Sequence, residues 1–406
     1  MDRFQQQLLS SKVRWRTSIA LGGILTLGVR LSLGLLMLTA WHYAGRWFQP
    51  ALLDLYAQQT GLTAPSSPLG QAILGVWARW DAVHLLRLAK LGYQGAGVGS
   101  STFYPLYPFL TGSLARLSGL SVLTTSLLLS SLFTWTAFSC LHQLAWRRLE
   151  AETALWATLA LAAFPTAFFL IGPFTESLFL TLTISALLAA YQRKWWLAGA
   201  MAALGSITRG PGLLIAIPLG WIGWQAWLQS REKALVPTLA PPIAASLAAV
   251  LPGFGFQLWR HSQGFPPLTQ TLETFSRQQF VGPLHGLFLA IEQLLRGFEY
   301  LPWLEFSFMS LFVILTVYLF RKPSLRQPEW ILFQGANLLL FISFNSFEAS
   351  AWRSMARYVL SLFPGFLAMG YWLSSQATAV RFIVMVISTS LLLIFSSLFA
   401  LFWFFG

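Results

Sequence analysis

The sequence predicts an all-α integral membrane protein, a single transmembrane domain over residues 1–406. Three observations carry that expectation. The chain is 56% hydrophobic and only 10% charged. Its mean hydropathy is +0.63, and it holds 19 tryptophans, a composition outside the range of soluble domains. Apolar stretches long enough to enter a bilayer recur along the whole chain, giving about 11 spans. A formal net charge of +13 raises the question of nucleic acid. The Lys and Arg residues, however, are scattered at segment ends with no basic run. Membrane orientation and anionic lipid or phosphate account for them, and no nucleic-acid partner is expected. Cys140 is the single cysteine, which excludes an intramolecular disulfide and argues against a thiolate zinc site.

The N-terminus is basic before an apolar run over residues 17–41. That run is too long for a signal-peptide core, so it reads as a retained first span. Arg30 in its middle should face protein or water. The other spans are expected at 122–146, 155–171, 174–191, 195–207, 213–227, 236–259, 304–320, 331–344, 358–373 and 382–405. With the N-terminus cytoplasmic, Arg147 and Arg148, Arg193 and Lys194, Arg231 and Lys233, Arg321, Lys322 and Arg326, and Arg381 fall in cytoplasmic junctions, as the positive-inside rule asks. This requires residues 103–119, with Pro105, Pro108 and Arg116, to lie at the interface rather than cross. Residues 42–121 then form a first outer loop with interfacial helices at 81–92 and 107–118, and 260–303 a second large outer loop. Asp81, His84, Arg87 and Lys90 recur every third residue, a polar stripe suited to an interfacial helix.

With this topology Asp81, Glu176, Arg209, Arg277, Glu348, Arg353 and Arg357 gather near the outer face. Asp81 is one of three aspartates in the chain. Trp80 can fix its backbone at headgroup level, while Arg79 and His84 offer partners that keep it ionised, as a general base requires; His84 is equally compatible with an ordinary interfacial histidine. Tyr104 and Tyr107 sit in a run stiffened by Pro105 and Pro108. They could be belt tyrosines or the wall of a sugar site. Glu176 opens a helix after the Gly172-Pro173 break, where it could cap the helix or bind substrate hydroxyls. Arg209, in the break Thr208-Arg209-Gly210-Pro211-Gly212, wants a carboxylate or a phosphate. Arg353 and Arg357, four apart and so on one helix face, could clamp a phosphate or anchor anionic lipid. No nucleotide loop and no clustered metal ligands occur. A membrane enzyme without nucleotide-sugar machinery must take its activated group from lipid.

These residues resemble the PIG-V-like mannosyltransferases, membrane enzymes of the GT-C class that include the second mannosyltransferase of GPI-anchor synthesis and bacterial relatives. The resemblance is carried by Arg79-Trp80-Asp81-Ala82-Val83-His84 with Gly92-Tyr93, then Phe103-Tyr104-Pro105-Leu106-Tyr107-Pro108. It continues through Phe164-Pro165, Phe174-Thr175-Glu176-Ser177-Leu178-Phe179, Thr208-Arg209-Gly210 with Gly212, and Arg353, Ala356-Arg357-Tyr358 and Phe363-Pro364. It implies a polytopic GT-C fold, a polyprenyl- or dolichyl-phosphate-mannose donor and inverting transfer with Asp81 as base. Tyr104 stands where the family often has Phe. Gly264-Phe265-Pro266-Pro267 lacks the acid of a Gly-Asp-Pro found in many relatives, leaving Arg277 as the candidate in that loop.

The expectation is therefore a membrane transferase moving a mannose-like sugar to a lipid or glycan acceptor on the outer face. Arg353, Arg357 and Arg209 would hold the leaving phosphate, and Glu176, Tyr104 and Tyr107 would shape the sugar site. No cofactor is required, and a divalent metal is not indicated. Short loops and compact length fit a bacterial plasma membrane; in a eukaryote the location would be the ER membrane. The alternative is a lipid-linked-sugar flippase or other transporter, which would place charged residues along a two-sided path.

Overall fold

The computed structural model describes residues 3–44, 70, 73–230, 235–297, 299–347 and 350–401. Glu348, Arg231, Lys233, residues 45–69 and 71–72 of the first outer loop, and the end of the last apolar stretch lie outside them. The helices in order are α1 (Arg3–Ala44), α2 (Asp81–Ala96), α3 (Leu106–Ser118), α4 (Val122–Arg148), α5 (Ala151–Ala162), α6 (Phe168–Ile171), α7 (Glu176–Tyr191), α8 (Trp195–Ser206), α9 (Ala216–Leu228) and α10 (Leu235–Ser262). After α11 (Leu268–Thr271) and strand β1 (Gln278–Phe280) come α12 (Pro283–Arg296), α13 (Tyr300–Arg321) and α14 (Pro328–Ile342). Strand β2 (Phe344–Ser346), α15 (Met355–Tyr358), α16 (Phe363–Ser374) and α17 (Thr378–Ala400) complete the chain.

Among the described residues the expected apolar stretches are largely helical, with 155–171 broken between Ala162 and Phe168. Among the described residues six helices, including α1, α4, α10, α13 and α17, are long and apolar enough to cross a membrane, and the sixth runs from Gly210 through α9. Helix length thus accounts for six of the expected spans. The chain is an integral membrane protein, and among the described residues its only regular structure besides helices is one two-stranded ribbon.

The shorter segments owe their length to prolines. α5 stops at Ala162 because Pro165 has no N–H and restricts the residue before it, and Pro173 ends α6 in the same way. Such a break leaves carbonyls unpaired inside an apolar bundle, a costly arrangement unless protein groups supply donors. Here they do. Arg30 donates to Ile171 O at 2.5 Å and to Leu127 O at 2.9 Å, and Thr134 Oγ1 donates to Leu170 O at 2.7 Å. Arg30 also lies over the Trp77 ring, 5.2 Å from its centroid, so this mid-span cation faces protein.

α2 and α3 pack on each other and on the membrane bundle. Leu85, Leu106 and Tyr107 form a cluster with Leu178 and Leu182 of α7, and Leu106 N donates to Ile207 O at 3.0 Å. At Gly112 a Cβ would overlap the carbonyl oxygen of Ala89, so only glycine permits this approach of α3 to α2. α2 is kinked at Gly92, whose φ is 69°, close to the boundary the sequence predicts.

The ribbon was not legible in the sequence. β1 and β2 pair antiparallel, Gln278 with Ser346, Gln279 with Asn345 and Phe280 with Phe344. The stretch expected as a span to 344 therefore leaves the helix after Ile342, and the segment 260–303, expected as the second outer loop, is tied to the segment that carries Arg353 and Arg357. α12 within that loop presents Leu284, Phe288, Ile291 and Leu295 to its surroundings, the spacing of a helix lying on a bilayer.

Candidate active site

The site is assembled where three chain breaks meet the first residue of α2. Trp80, immediately before it, has φ 53° and ψ −129°, a strained conformation for a residue with a Cβ. That turn aims Asp81 out of the helix start. Its side chain remains 36% exposed, and its Oδ2 lies 2.7 Å from Nη1 of Arg357. Arg357, almost fully buried on α15, also sets its Nε 3.1 Å from Oε1 of Glu176. Glu176 is the first residue of α7, and its Oε1 accepts a second guanidinium, Arg209 Nη1, at 2.7 Å. The result is an alternating chain of charges, Asp81, Arg357, Glu176, Arg209, in which only the terminal aspartate is open. Aromatic faces complete the enclosure: Arg357 lies 5.7 Å from the ring centroids of both Phe169 and Phe174, and Arg209 5.4 Å from that of Tyr358.

Electrostatics follow from this order. Burial alone pushes the Asp81 carboxyl up, but Arg357, then His84 and Arg353, outweigh it and hold it below the usual carboxylate range. Burial likewise favours neutral Arg357, and Asp81 and Glu176 reverse this, raising its affinity for the proton. His84 is lowered from its ordinary 6.5, chiefly by burial, with Asp81 opposing. Its Nδ1 pairs with Ser100 Oγ at 2.9 Å and its ring stacks on Phe103 at 5.4 Å.

A residue that the sequence reading passed over supports the cluster from behind. Glu305 on α13 is fully buried; its Oε1 accepts Ser354 N at 3.1 Å and its Oε2 accepts Ala356 N at 2.6 Å. It thereby clamps the turn that presents Arg357, in which Ser354 takes a left-handed φ of 73°. Its signal was a lone acid at the beginning of an apolar run, where buried charge is expensive.

The structure sorts the remaining candidates. Arg353 is half-buried and close enough to bias Asp81. It precedes α15, with Ser354 between, so Arg353 and Arg357 do not share one helix face as their spacing suggested. Tyr104 accepts from Gln257 Nε2 at 3.3 Å, and its hydroxyl borders Gly210, next to Arg209. Arg79 is buried and Trp80 half-buried at the entry to α2. Tyr107 lies behind the cluster, near enough to Glu176 to sense its charge; it is 1% exposed, and its hydroxyl bonds Ser126 O at 3.2 Å and Ser130 Oγ at 2.8 Å, so its hydrogen-bonding capacity is spent inside the core. Arg277 is exposed at the head of β1, with φ 53°. Among the described residues no three His, Cys, Asp or Glu side chains converge as a metal-ligand set.

No protein-family model matches the chain. GPI alpha-1,6-mannosyltransferase 2 of Rattus norvegicus is 31% identical to it over 221 residues, 49% of this chain and 44% of that protein. The Mus musculus protein of the same name is 29% identical over 209 residues, 49% of this chain and 39% of that one. That of Cricetulus griseus is 31% identical over 156 residues. The chain is similar to GPI mannosyltransferases over about half its length. It spans less than half the length of these relatives. The similarity supports the resemblance to PIG-V-like mannosyltransferases read from the motifs.

Proposed function

We propose that the protein is a membrane glycosyltransferase that moves a mannose-like sugar from a polyprenyl-phosphate-linked donor to a hydroxyl of a lipid or glycan acceptor at the outer face. Asp81 is the general base. The observation that carries this reading is the half-exposed Asp81 carboxylate held ionised by buried Arg357, at the open end of a charge chain whose other members are sequestered.

In an inverting displacement the acceptor oxygen attacks the anomeric carbon as its bond to phosphate breaks. A carboxylate with a depressed pKa is a weak base toward a free hydroxyl. It becomes adequate once that oxygen gains positive charge in forming the new glycosidic bond, so Asp81 takes the proton late, and the phosphate departs with the bonding pair. Arg353 beside Asp81 offers positive charge to the leaving phosphate. Preorganised donors of this kind are worth about 3 kcal/mol each in other enzymes. Arg209 and Arg357, engaged by Glu176 and Asp81, act chiefly by holding the carboxylates in register rather than as a free phosphate clamp. The buried Oε2 of Glu176 has no hydrogen-bond partner and is available to a sugar hydroxyl. No soluble cofactor enters this scheme, since the donor is already activated.

Incubating purified protein with radiolabelled polyprenyl-phosphate-mannose and membrane extract tests the reading. Labelled product from the parent chain, and little from Asp81→Asn, is expected. Undiminished transfer by Asp81→Asn overturns the base assignment. Movement of labelled lipid across vesicles without any transfer favours the transporter reading instead.

A further inference from the structure

The charge chain around Asp81 leaves one buried cation unexplained. Arg260, near the end of α10, is 1% exposed, yet among the described residues no carboxylate pairs with it. Its Nη1 donates to Gln257 Oε1 at 3.1 Å, and its Nη2 to Ser101 Oγ at 3.0 Å and Thr271 Oγ1 at 3.2 Å. Its Nε is buried without a partner. A guanidinium taken out of water and given only neutral acceptors is costly, and its fork geometry matches a phosphate.

Its neighbours say where that phosphate would come from. Gln257 also donates to Tyr104, whose hydroxyl borders Gly210, so Arg260 connects to the Asp81 cluster through two neutral side chains. On the other side α10 supplies Pro252, Phe256 and Trp259 to an open groove of about 500 Å³, completed by Tyr93 and Phe109, with Arg116 at its rim. Tyr93 packs on Phe256 and Trp259, with ring centroids at 5.6 and 5.1 Å. An apolar groove therefore runs beside a buried, uncompensated cation, and that cation is linked by hydrogen bonds to the wall of the candidate active site.

We infer that Arg260 is the phosphate seat for a lipid phosphate whose apolar chain lies in this groove. The phosphate would exchange with the neutral hydroxyls of Ser101 and Thr271 and engage the unpaired Nε. This deepens the transferase reading and rests on it for the identity of the lipid as donor or departing carrier.

Binding of polyprenyl phosphate, of the matching polyprenol and of inorganic phosphate to the detergent-solubilised full chain tests the inference without requiring turnover. The parent is expected to prefer polyprenyl phosphate to polyprenol. Arg260→Gln should weaken the phosphate form about tenfold and leave the alcohol unchanged. Gln257→Glu guards against a folding defect: it places a carboxylate against Arg260, so a purely structural arginine would be better satisfied and lipid binding unaltered, whereas a phosphate seat would be filled and the preference lost. If the parent shows the preference and both variants keep it, Arg260 is not the seat and the transferase reading stands. If the parent shows none, the inference falls together with the lipid-phosphate donor. If inorganic phosphate binds as well as the lipid and in an Arg260-dependent way, the seat is for a soluble anion and the lipid assignment is overturned.

Discussion

At Asp81 a single carboxylate must be both paired and reachable. Its ion pair with Arg357 keeps it charged, while its partial exposure leaves an oxygen edge for an acceptor. Asp81→Asn keeps the shape and removes the base together with the charge opposite buried Arg357, so transfer should fall by roughly 10²–10⁴-fold and the melting temperature should fall with it. Because the folded carboxyl lies below its ordinary 3.8, the ion pair contributes at neutral pH and is lost only as pH falls through that depressed value. The acid limb of the rate profile should therefore lie below the usual carboxylate range, and Arg357→Gln should move it upward. His84 has the same sign by a different cause. Lowered from 6.5 chiefly by burial, it takes up a proton less readily in the fold than in the unfolded chain. Stability should decline as pH drops below 6.5, and thermal melts of His84→Gln should show less of that decline. Glu305→Gln exchanges one of two acceptors for a donor facing a backbone N–H. A loss of about 1.5–3 kcal/mol is expected, measurable as a lowered melting temperature together with reduced transfer.

Among the elements, the pair α2 and α3 determines whether Asp81 is held at all. Gly112→Ala forces the two apart at the Ala89 carbonyl, and overpacking of that kind costs about 1–3 kcal/mol. Thermal unfolding in detergent should show the loss, with transfer falling in parallel. These two helices were readable in advance because a polar stripe and paired prolines are local signals. The Pro-broken segments were readable for the same reason. The ribbon was not: three residues per strand give too little alternation, and its partners are brought together only by the tertiary fold. Glu305 and Arg260 escaped notice for a related reason. Each sits at the margin of an apolar stretch, where a charged residue looks like an ordinary span boundary, and only the packing reveals that it is buried.

For the whole molecule, the sequence anticipated the helical character and the gathering of Asp81, Glu176, Arg209 and Arg357, since each falls at a break or at a segment end on one side of the expected topology. What it could not supply was their pairing order, Asp81 to Arg357 to Glu176 to Arg209. At the far end of α7, about 22 Å from Glu176 by helix rise, Glu329 accepts from Tyr191 at 2.7 Å and from Arg148 at 3.3 Å. That second network sits where the charge rule puts the cytoplasmic side. Single cysteines placed at Lys90 and at Lys194 should report the sidedness: impermeant thiol reagents are expected to label the first from outside intact cells and the second only after permeabilisation. Labelling of the second from outside, and of the first only after permeabilisation, would invert the proposed orientation.

The bond between Asp81 and Arg357 also has a meaning for biosynthesis. The two residues are separated by roughly two-thirds of the chain, so Asp81 is synthesised and delivered to the membrane long before its counter-ion exists. Glu176 and Arg209 can meet early, as neighbouring helices insert, but the aspartate waits for α13 and the turn that Glu305 clamps. A nascent chain halted before that turn carries every residue of the first two motifs but not the cation that pairs with Asp81. On the proposed reading, the ion pair that tunes the base therefore also times it, forming only after the turn that Glu305 clamps has been made.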